Sequence, residues 1–391
     1  MTETELWAAS GAMALTGRQA GPALLGTGSP ASAVRAALDT LAAAGVPHLP
    51  DVRLLGERAA LAGYGRNAPC SAGGAFRILA ARDGWFGISL SRPSDVDLVP
   101  ALVGREIEDP WAALAGWLQH TGVADAANRA ALLGLPAAVV PAEPPPPTRD
   151  PVLVTDGGPR TPVERPLVVD LSALWAGPLC AHLLGLAGAR VVKVESGVRL
   201  DGARRGPAAF FDLLNAGHDS VVLDFALQRP VLQRLVARAD VVIEASRPRA
   251  MSQLGIDAHA EVARGAVWVS LTAGGRGDPM RVGFGDDVAA GAGLVAWDGG
   301  LPCPMGDAIA DPLAGVTAAA AAATALAQSR GALIDVSMHD VCAAAARTPA
   351  SGPRHVQPAP PWSRQPSGVA APQGADTGRV LAELLGEATA K

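Results

Sequence analysis

Residues 167–195 read Leu-Val-Val-Asp-Leu-Ser-Ala-Leu-Trp-Ala-Gly-Pro-Leu-Cys-Ala-His-Leu-Leu-Gly-Leu-Ala-Gly-Ala-Arg-Val-Val-Lys-Val-Glu. An apolar, β-branched run opens and closes the stretch, and Pro178 to Gly188 between them carries a helical pattern. Two strands that are apolar on both faces and joined through a helix predict parallel pairing in a sheet covered on both sides. The alternation continues through Ser220-Val-Val-Leu-Asp224, a helical Val231 to Arg238, Asp240-Val-Val-Ile-Glu244 and Ala266-Val-Trp-Val-Ser-Leu271. Residues 161–347 are therefore expected to form an α/β domain with a doubly wound, mainly parallel sheet. Its first strand-to-helix junction, Asp170 to Pro178, lacks the G-x-G-x-x-G turn that brings backbone to a pyrophosphate, so a dinucleotide site is not indicated. Gly177-Pro178 suits a helix opening with free amide donors for an anion or a carbonyl, and it suits an ordinary helix start equally well.

On either side the pattern changes. Pro141 to Pro151 is proline-dense, and 141–160 is expected to be an extended linker. Before it, Phe76 to Ala80, a turn at Arg82-Asp-Gly84 and Trp85 to Leu90 predict a hairpin, with helices near 96–102, 111–119 and 125–133. Residues 1–140 are thus expected to be a smaller α+β module. Residues 348–391 predict a loose Pro/Ser/Gly-rich arm carrying a short helix over Val380 to Leu385 that ends at Gly386.

Composition narrows the function. Of 391 residues 49% are hydrophobic, enough for two or three cores. A net charge of −5 with only 18% charged residues offers no basic face, so nucleic acid and anionic membranes are not expected partners. The four cysteines share no metal-ligand or disulfide-framework spacing and read as reduced thiols, which points to a cytoplasmic protein without a metal centre. An acidic start with no apolar h-region gives no expectation of a signal peptide. The apolar stretch from Gly315 to Ala327 reads as too short to span a bilayer.

A shift of 282 residues lays Ala8, Gly11, Ala14, Gly17, Pro22 and Pro30 on Ala290, Gly293, Ala296, Gly299, Pro304 and Pro312, and the alanine-rich run from Ala36 on that from Ala318. This register, the sign of an internal repeat, places Ser29 on Asp311.

Six ordered segments carry a family resemblance. They are Val168 to Pro178, Gly188 to Glu195, Asp201-Gly-Ala-Arg204, Asn215 to Asp224, Ala239 to Glu244 with Arg247-Pro248, and Ala310-Asp-Pro-Leu-Ala-Gly315. Together they resemble the family III CoA-transferases, a group that includes formyl-CoA transferase, carnitine CoA-transferase and α-methylacyl-CoA racemase. The resemblance implies that Asp311 attacks an acyl-CoA thioester, passes through a mixed anhydride and an aspartyl-CoA thioester, and delivers coenzyme A to a carboxylic acid. It implies no permanently bound cofactor, since coenzyme A arrives as acyl-CoA substrate. As implied substrate or CoA contacts it marks Trp175, Ala176 and Gly177, Lys193, Arg199 and Arg204, and the glycine-rich loop at Gly73 and Gly74. Lys193, Arg199 and Arg204 also read as plain surface charges, and Gly73-Gly74 as a turn leading into the hairpin. Family dimers are interlocked, so a homodimer or a pairing with a related subunit is expected.

Departures qualify the resemblance. Trp175 stands where formyl-CoA transferase has Gln, Ala245 replaces an Asn, and Gly285-Asp-Asp287 stands where the racemases have G-H-D, which disfavours racemization through two bases. Chain order differs too. Residues 70–141 resemble the small domain that ordinarily follows the catalytic segment, and 8–45 resemble that segment with Ser29 in place of Asp. The chain thus reads as the rear half of an inactive copy followed by the front half of an active one. A racemase or isomerase, or a non-catalytic CoA-binding subunit, are the alternatives.

Overall fold

The computed structural model describes residues 1–386 except 247 and 354, so Arg247 of the resemblance motifs and Lys391 lie outside it. In the N-terminal module, β1 (Phe76–Ala81) and β2 (Gly84–Ser89) form the expected hairpin, with Phe76 opposite Ser89 and Ala81 opposite Gly84. A third strand, β3 (Ala137–Val140), pairs antiparallel with β2. Helices Pro93–Asp97, Val99–Val103, Pro110–Leu118 and Val123–Leu133 belong with them. Alternation of side chains sends Phe86 and Ile88 into a core with Leu102, Leu114 and Leu118, while Phe76, Ile78 and Val140 meet Ala290 and Val295 of the later chain. The module is docked through that second face.

The large sheet begins with β4 (Val152–Pro159), inside the stretch expected to be an extended linker. The next strands are β5 (Leu167–Asp170), β6 (Arg190–Ser196), β7 (Asp219–Leu223), β8 (Val241–Glu244) and β9 (Val267–Thr272). A separate hairpin, β10 (Val295–Asp298) with β11 (Leu301–Pro304), precedes β12 (Arg330–Ser337). Seven strands are ordered β4-β12-β9-β8-β5-β6-β7, all parallel except β4. From β5 the chain first moves outward through β6 and β7, then returns to the other side of β5 for β8, β9 and β12. Such a reversal opens a crevice at the carboxyl ends of the strands on either side of it. Alternate residues feed two cores, Val168, Val191, Val241 and Val267 on one face and Val169, Val192, Val242 and Trp268 on the other.

The helix Ala310–Ala327 has the length and hydropathy (1.3) to cross a bilayer, yet 67% of it is buried inside the protein. It lies among Pro30–Ala43, Ala176–Leu186, Met338–Arg347, β9 and β12. Small side chains let these neighbours close in. At Gly315 an added Cβ would stand 2.5 Å from the Ala176 carbonyl oxygen, so the two helices touch backbone to side there.

Under the 282-residue shift, helix Glu3–Ala9 falls on helix Gly285–Gly291, Pro30–Ala43 on 312–325, and Glu57–Ala62 on 339–344 within the helix Met338–Arg347. Gly11 and Gly293 share left-handed φ values of 81° and 86°. Helix Pro30–Ala43 packs on its counterpart Ala310–Ala327.

The C-terminal arm is pinned rather than loose. The Ala359 N–H donates to the Ala8 carbonyl, Trp362 stacks under Arg53 at 4.2 Å, and Ala370 N–H donates to Asp212. The final helix, Thr377–Leu385, is preceded by Asp376, whose carboxylate accepts from Ser220 N–H while Thr377 accepts from Val222 N–H, so the arm caps the free edge of β7. Arg364 forks onto the buried Glu57, Nε to Oε1 at 2.6 Å. Arg364→Ala leaves that carboxylate buried and unpaired, and a loss of about 2 kcal/mol is expected. A urea midpoint within error of wild type would contradict it.

Candidate active site

The helix Ala310–Ala327 starts next to the reversal crevice and carries Asp311 in its first turn, where the helix dipole favours a negative charge. Asp311 is partly exposed, and no hydrogen-bond donor among the described residues engages its carboxylate. Two backbone features make room for it. Gly285 has no side chain, and a Cβ there would stand 2.5 Å from Asp311 Oδ2. Ala308 adopts φ of 44°, rare for a residue with a Cβ, and its N–H is held by Asp286 Oδ1 at 2.9 Å.

Three further carboxylates surround Asp311, and each has donors. Asp286 accepts from Ala308 N–H, and the Ser71 side chain stands close enough to lower its carboxyl. Asp287 accepts from Ser89 Oγ at 2.7 Å and from Phe284 N–H at 3.0 Å. Asp307, fully buried, is paired by Arg58, Nε to Oδ2 at 2.8 Å. The Arg58 guanidinium also lies 5.0 Å from the Trp175 ring centroid, and Trp175 meets Phe210 edge to face at 5.2 Å. Arg58, Ser71 and Ser89 all come from the N-terminal module.

Burial raises the carboxyls of the cluster. Asp311 is pushed up to about 7, chiefly by loss of water, with Arg58 opposing and Asp286, Asp287 and Asp307 reinforcing. Burial likewise lifts Asp287 to about 7, and burial with the Asp307 charge lifts Asp286 to about 6. Such groups exchange protons near neutrality, and an ionised Asp311 among them is a poorly hydrated nucleophile. Among the described residues no three His, Cys, Asp or Glu side chains are placed to hold a metal ion.

The residues singled out in the sequence separate in space. Ala176 receives Gly315, one helical turn beyond Asp311, Trp175 reaches the cluster through Arg58, and Gly177 is packed on Ser172, where a Cβ would sit 2.1 Å from Oγ. Gly73 and Gly74 follow Ser71, which stands near Asp286, with Gly74 left-handed at φ 81°. Lys193 is neither a surface charge nor open to a phosphate. Its side chain is 2% exposed, its ammonium pairs with Asp201 at 2.9 Å and Asp170 at 3.6 Å, and it donates to the Ser172 carbonyl. Burial opposes its charge, but those two carboxylates outweigh it, so Lys193 ties the 201–205 turn to β5. Arg204 is forked onto Glu195 and stacked on Phe211 at 4.3 Å. Arg199 is exposed in the loop after β6. Arg58, Ser71 and Ser89 were not singled out at all, and Asp286 and Asp287 were noted only as a departure from G-H-D.

The position that the 282-residue shift lays on Asp311 is sealed. Ser29 Oγ donates to the Thr348 and Pro349 carbonyls, and the Glu3 carboxylate accepts from the Ala31 and Ser32 amides at the helix start. Glu3 corresponds to Gly285, so a carboxylate fills the room that glycine leaves in the second copy. A cavity of about 30 Å³ remains beside Glu3, Trp7 and Pro30, space for about one water.

A family model described as CoA-transferase family III matches residues 166–372. Succinyl-CoA--D-citramalate CoA-transferase of Chloroflexus aurantiacus is 29% identical over 203 residues, 46% of this chain and 50% of that protein. The succinyl-CoA--L-malate CoA-transferase alpha subunit of the same organism is 30% identical over 227 residues, 51% of this chain and 52% of its own. Human alpha-methylacyl-CoA racemase is 42% identical over 90 residues, 22% of this chain and 21% of that protein. The chain spans about half or less of the length of these relatives. Because more than half of its own residues lie on the family model, and that half contains Asp311 and the crevice beside it, the chain belongs to CoA-transferase family III.

Proposed function

We propose that the protein transfers coenzyme A from an acyl-CoA to a carboxylic acid with Asp311 as nucleophile. One observation carries this reading: of the four clustered carboxylates, Asp311 is the one with no donor among the described residues on its oxygens, and it is partly exposed. An Asp311 oxygen attacks the thioester carbonyl and CoA thiolate leaves, giving a mixed anhydride. The thiolate then attacks the aspartyl carbonyl, releasing the donor carboxylate and leaving aspartyl-CoA. An acceptor carboxylate attacks that thioester, and the freed thiolate takes the acceptor acyl group, which restores Asp311. The N-terminal module supplies Arg58 and Ser89 to the cluster and brings Ser71, two residues before Gly73, close to Asp286, the part the resemblance gives the family's small domain. Arg199, exposed in the loop after β6, is a cation available to the CoA phosphates. A relative named as an alpha subunit supports pairing with a second subunit, and a homodimer is the other arrangement.

The test is covalent trapping. Incubated with an acyl-CoA panel, the protein should acquire a hydroxylamine-sensitive adduct on the Asp311 peptide by mass spectrometry, forming faster as pH rises through about 7, where burial places the carboxyl. CoA binding without any adduct would favour the non-catalytic subunit reading. A racemase reading draws on Asp286 beside Asp311, two acids of similar strength; α-proton exchange in deuterated water without an acceptor acid would favour it.

A further inference from the structure

Helix Glu57–Ala62 belongs to the copy that has Ser29 in place of the aspartate, yet it delivers a cation to the other copy. Arg58 corresponds by the 282-residue shift to Asp340, whose carboxylate is turned to Thr148 and Ser337. The two copies are thus unlike at this position, one presenting an arginine inward and the other an acid to the linker. Arg58 is held from three sides: Asp307 takes its fork, the Trp175 ring lies beneath it, and its neighbour Glu57 is clamped by Arg364.

The groups facing Asp311 can be named element by element. Asp286 and Asp287 come from helix Gly285–Gly291, Asp307 from the 305–309 loop, the Cys342 thiol from helix Met338–Arg347, and Arg58 from helix Glu57–Ala62. Among them Arg58 alone is cationic. With Asp307 ionised to match Arg58, each further proton lost from Asp286, Asp287 or Asp311 adds negative charge to a site from which water is largely excluded.

We propose, building on the transfer reading above, that Arg58 is a positioning residue for the reaction: as the one cation of the cluster it keeps Asp311 in its carboxylate form when acyl-CoA arrives. Pairing Asp307 alone would need no more than a buried ion pair. Its partner Asp307 immediately precedes Ala308, whose carbonyl accepts from Asp311 N–H and crowds Gly285 together with Asp311 Oδ2, so the same charge stands beside the turn in which the nucleophile ionises. An inactive copy has thereby become the source of the charge on which the active copy depends.

The experiment follows the Asp311 carboxyl directly. Protein labelled with ¹³C at the aspartate carboxyl carbon is titrated by NMR, the Asp311 signal being the one lost in Asp311→Asn. Arg58→Met should raise the Asp311 midpoint by at least one unit, equivalent to about a tenfold smaller ionised fraction below it. Should Arg58→Met not fold because Asp307 is left unpaired, Arg58→Gln, which keeps an amide donor toward Asp307, should show the same rise. Arg58→Lys, which keeps the charge, should stay within a few tenths of wild type. The acid limb of the rate of adduct formation should move with the midpoint, with the plateau at high pH much less affected. A folded Arg58→Met or Arg58→Gln protein with an unmoved midpoint would overturn the proposal. Failure of wild type to form any adduct would instead overturn the transfer reading, whatever the titration shows.

Discussion

Asp311→Asn is expected to lower CoA transfer by at least about 10⁴-fold, because removing a covalent nucleophile removes the route itself rather than one contact along it. The same variant is expected to fold and to be more stable than wild type at pH 8. Burial holds the Asp311 carboxyl near 7 in the native protein, whereas in the unfolded chain it titrates at its ordinary value near 3.8. Between those values the native state binds the extra proton, so this group's contribution to stability falls as pH rises from about 4 to about 7 and stays low above. Asn carries no charge to bury. Melting curves of the two proteins should coincide near pH 4 and separate in favour of Asp311→Asn by pH 8, by on the order of 1 kcal/mol. Residual transfer well above about 0.01% of wild type, or a variant less stable than wild type at pH 8, would contradict this account of the site.

Gly315→Val should have the second largest effect, on the fold as well as the site. Its Cβ would meet the Ala176 carbonyl at 2.5 Å and Leu179 Cβ at 3.2 Å, both inside the packed helix pair. Neither neighbour can swing away, so the helices must part, at a cost of about 3 kcal/mol. Because Gly315 lies one turn from Asp311 on the same helix face, the displacement moves the carboxylate relative to Trp175 and Arg58. Loss of transfer with an unchanged urea midpoint would refute the packing argument, and wild-type behaviour in both measurements would refute the whole of it.

Strands apolar on both faces were legible in the sequence because their burial leaves no ambiguity of period: β5, β6, β7, β8 and β9 lie where the runs of Val and Ile place them. Strand β4 was not, since Val152 to Pro159 follows a proline-dense stretch, ends in Gly-Gly-Pro, and leaves Leu153 and Val154 exposed at the sheet edge. The arm misled in the opposite way. Its prolines and glycines read as looseness, but a chain without regular hydrogen bonding can still be fixed by side chains such as Arg364 and Trp362. At the site, Asp311 stands out through its own segment Ala310 to Gly315, whereas the groups around it come from distant stretches of chain. Arg58 does not stand out: nothing local distinguishes it from the other exposed-looking arginines, and its partners Asp307 and Trp175 lie far along the chain. Lys193 shows the converse. Its rarity in an arginine-using chain drew attention to it, while its burial between two aspartates leaves it no phosphate to bind.

Helix Pro30–Ala43 and Arg58 find major partners, helix Ala310–Ala327 and Asp307, in a segment some 250 residues later. At a synthesis rate of roughly 5–20 residues per second, the first segment would leave the ribosome between about ten seconds and a minute before the helix that covers it exists. Through that interval Leu38, Leu41, Leu54 and Leu55, all buried in the finished protein, have no second copy to pack on. Until then these side chains lack the helix that covers them, and the site cannot form before its second half has been translated.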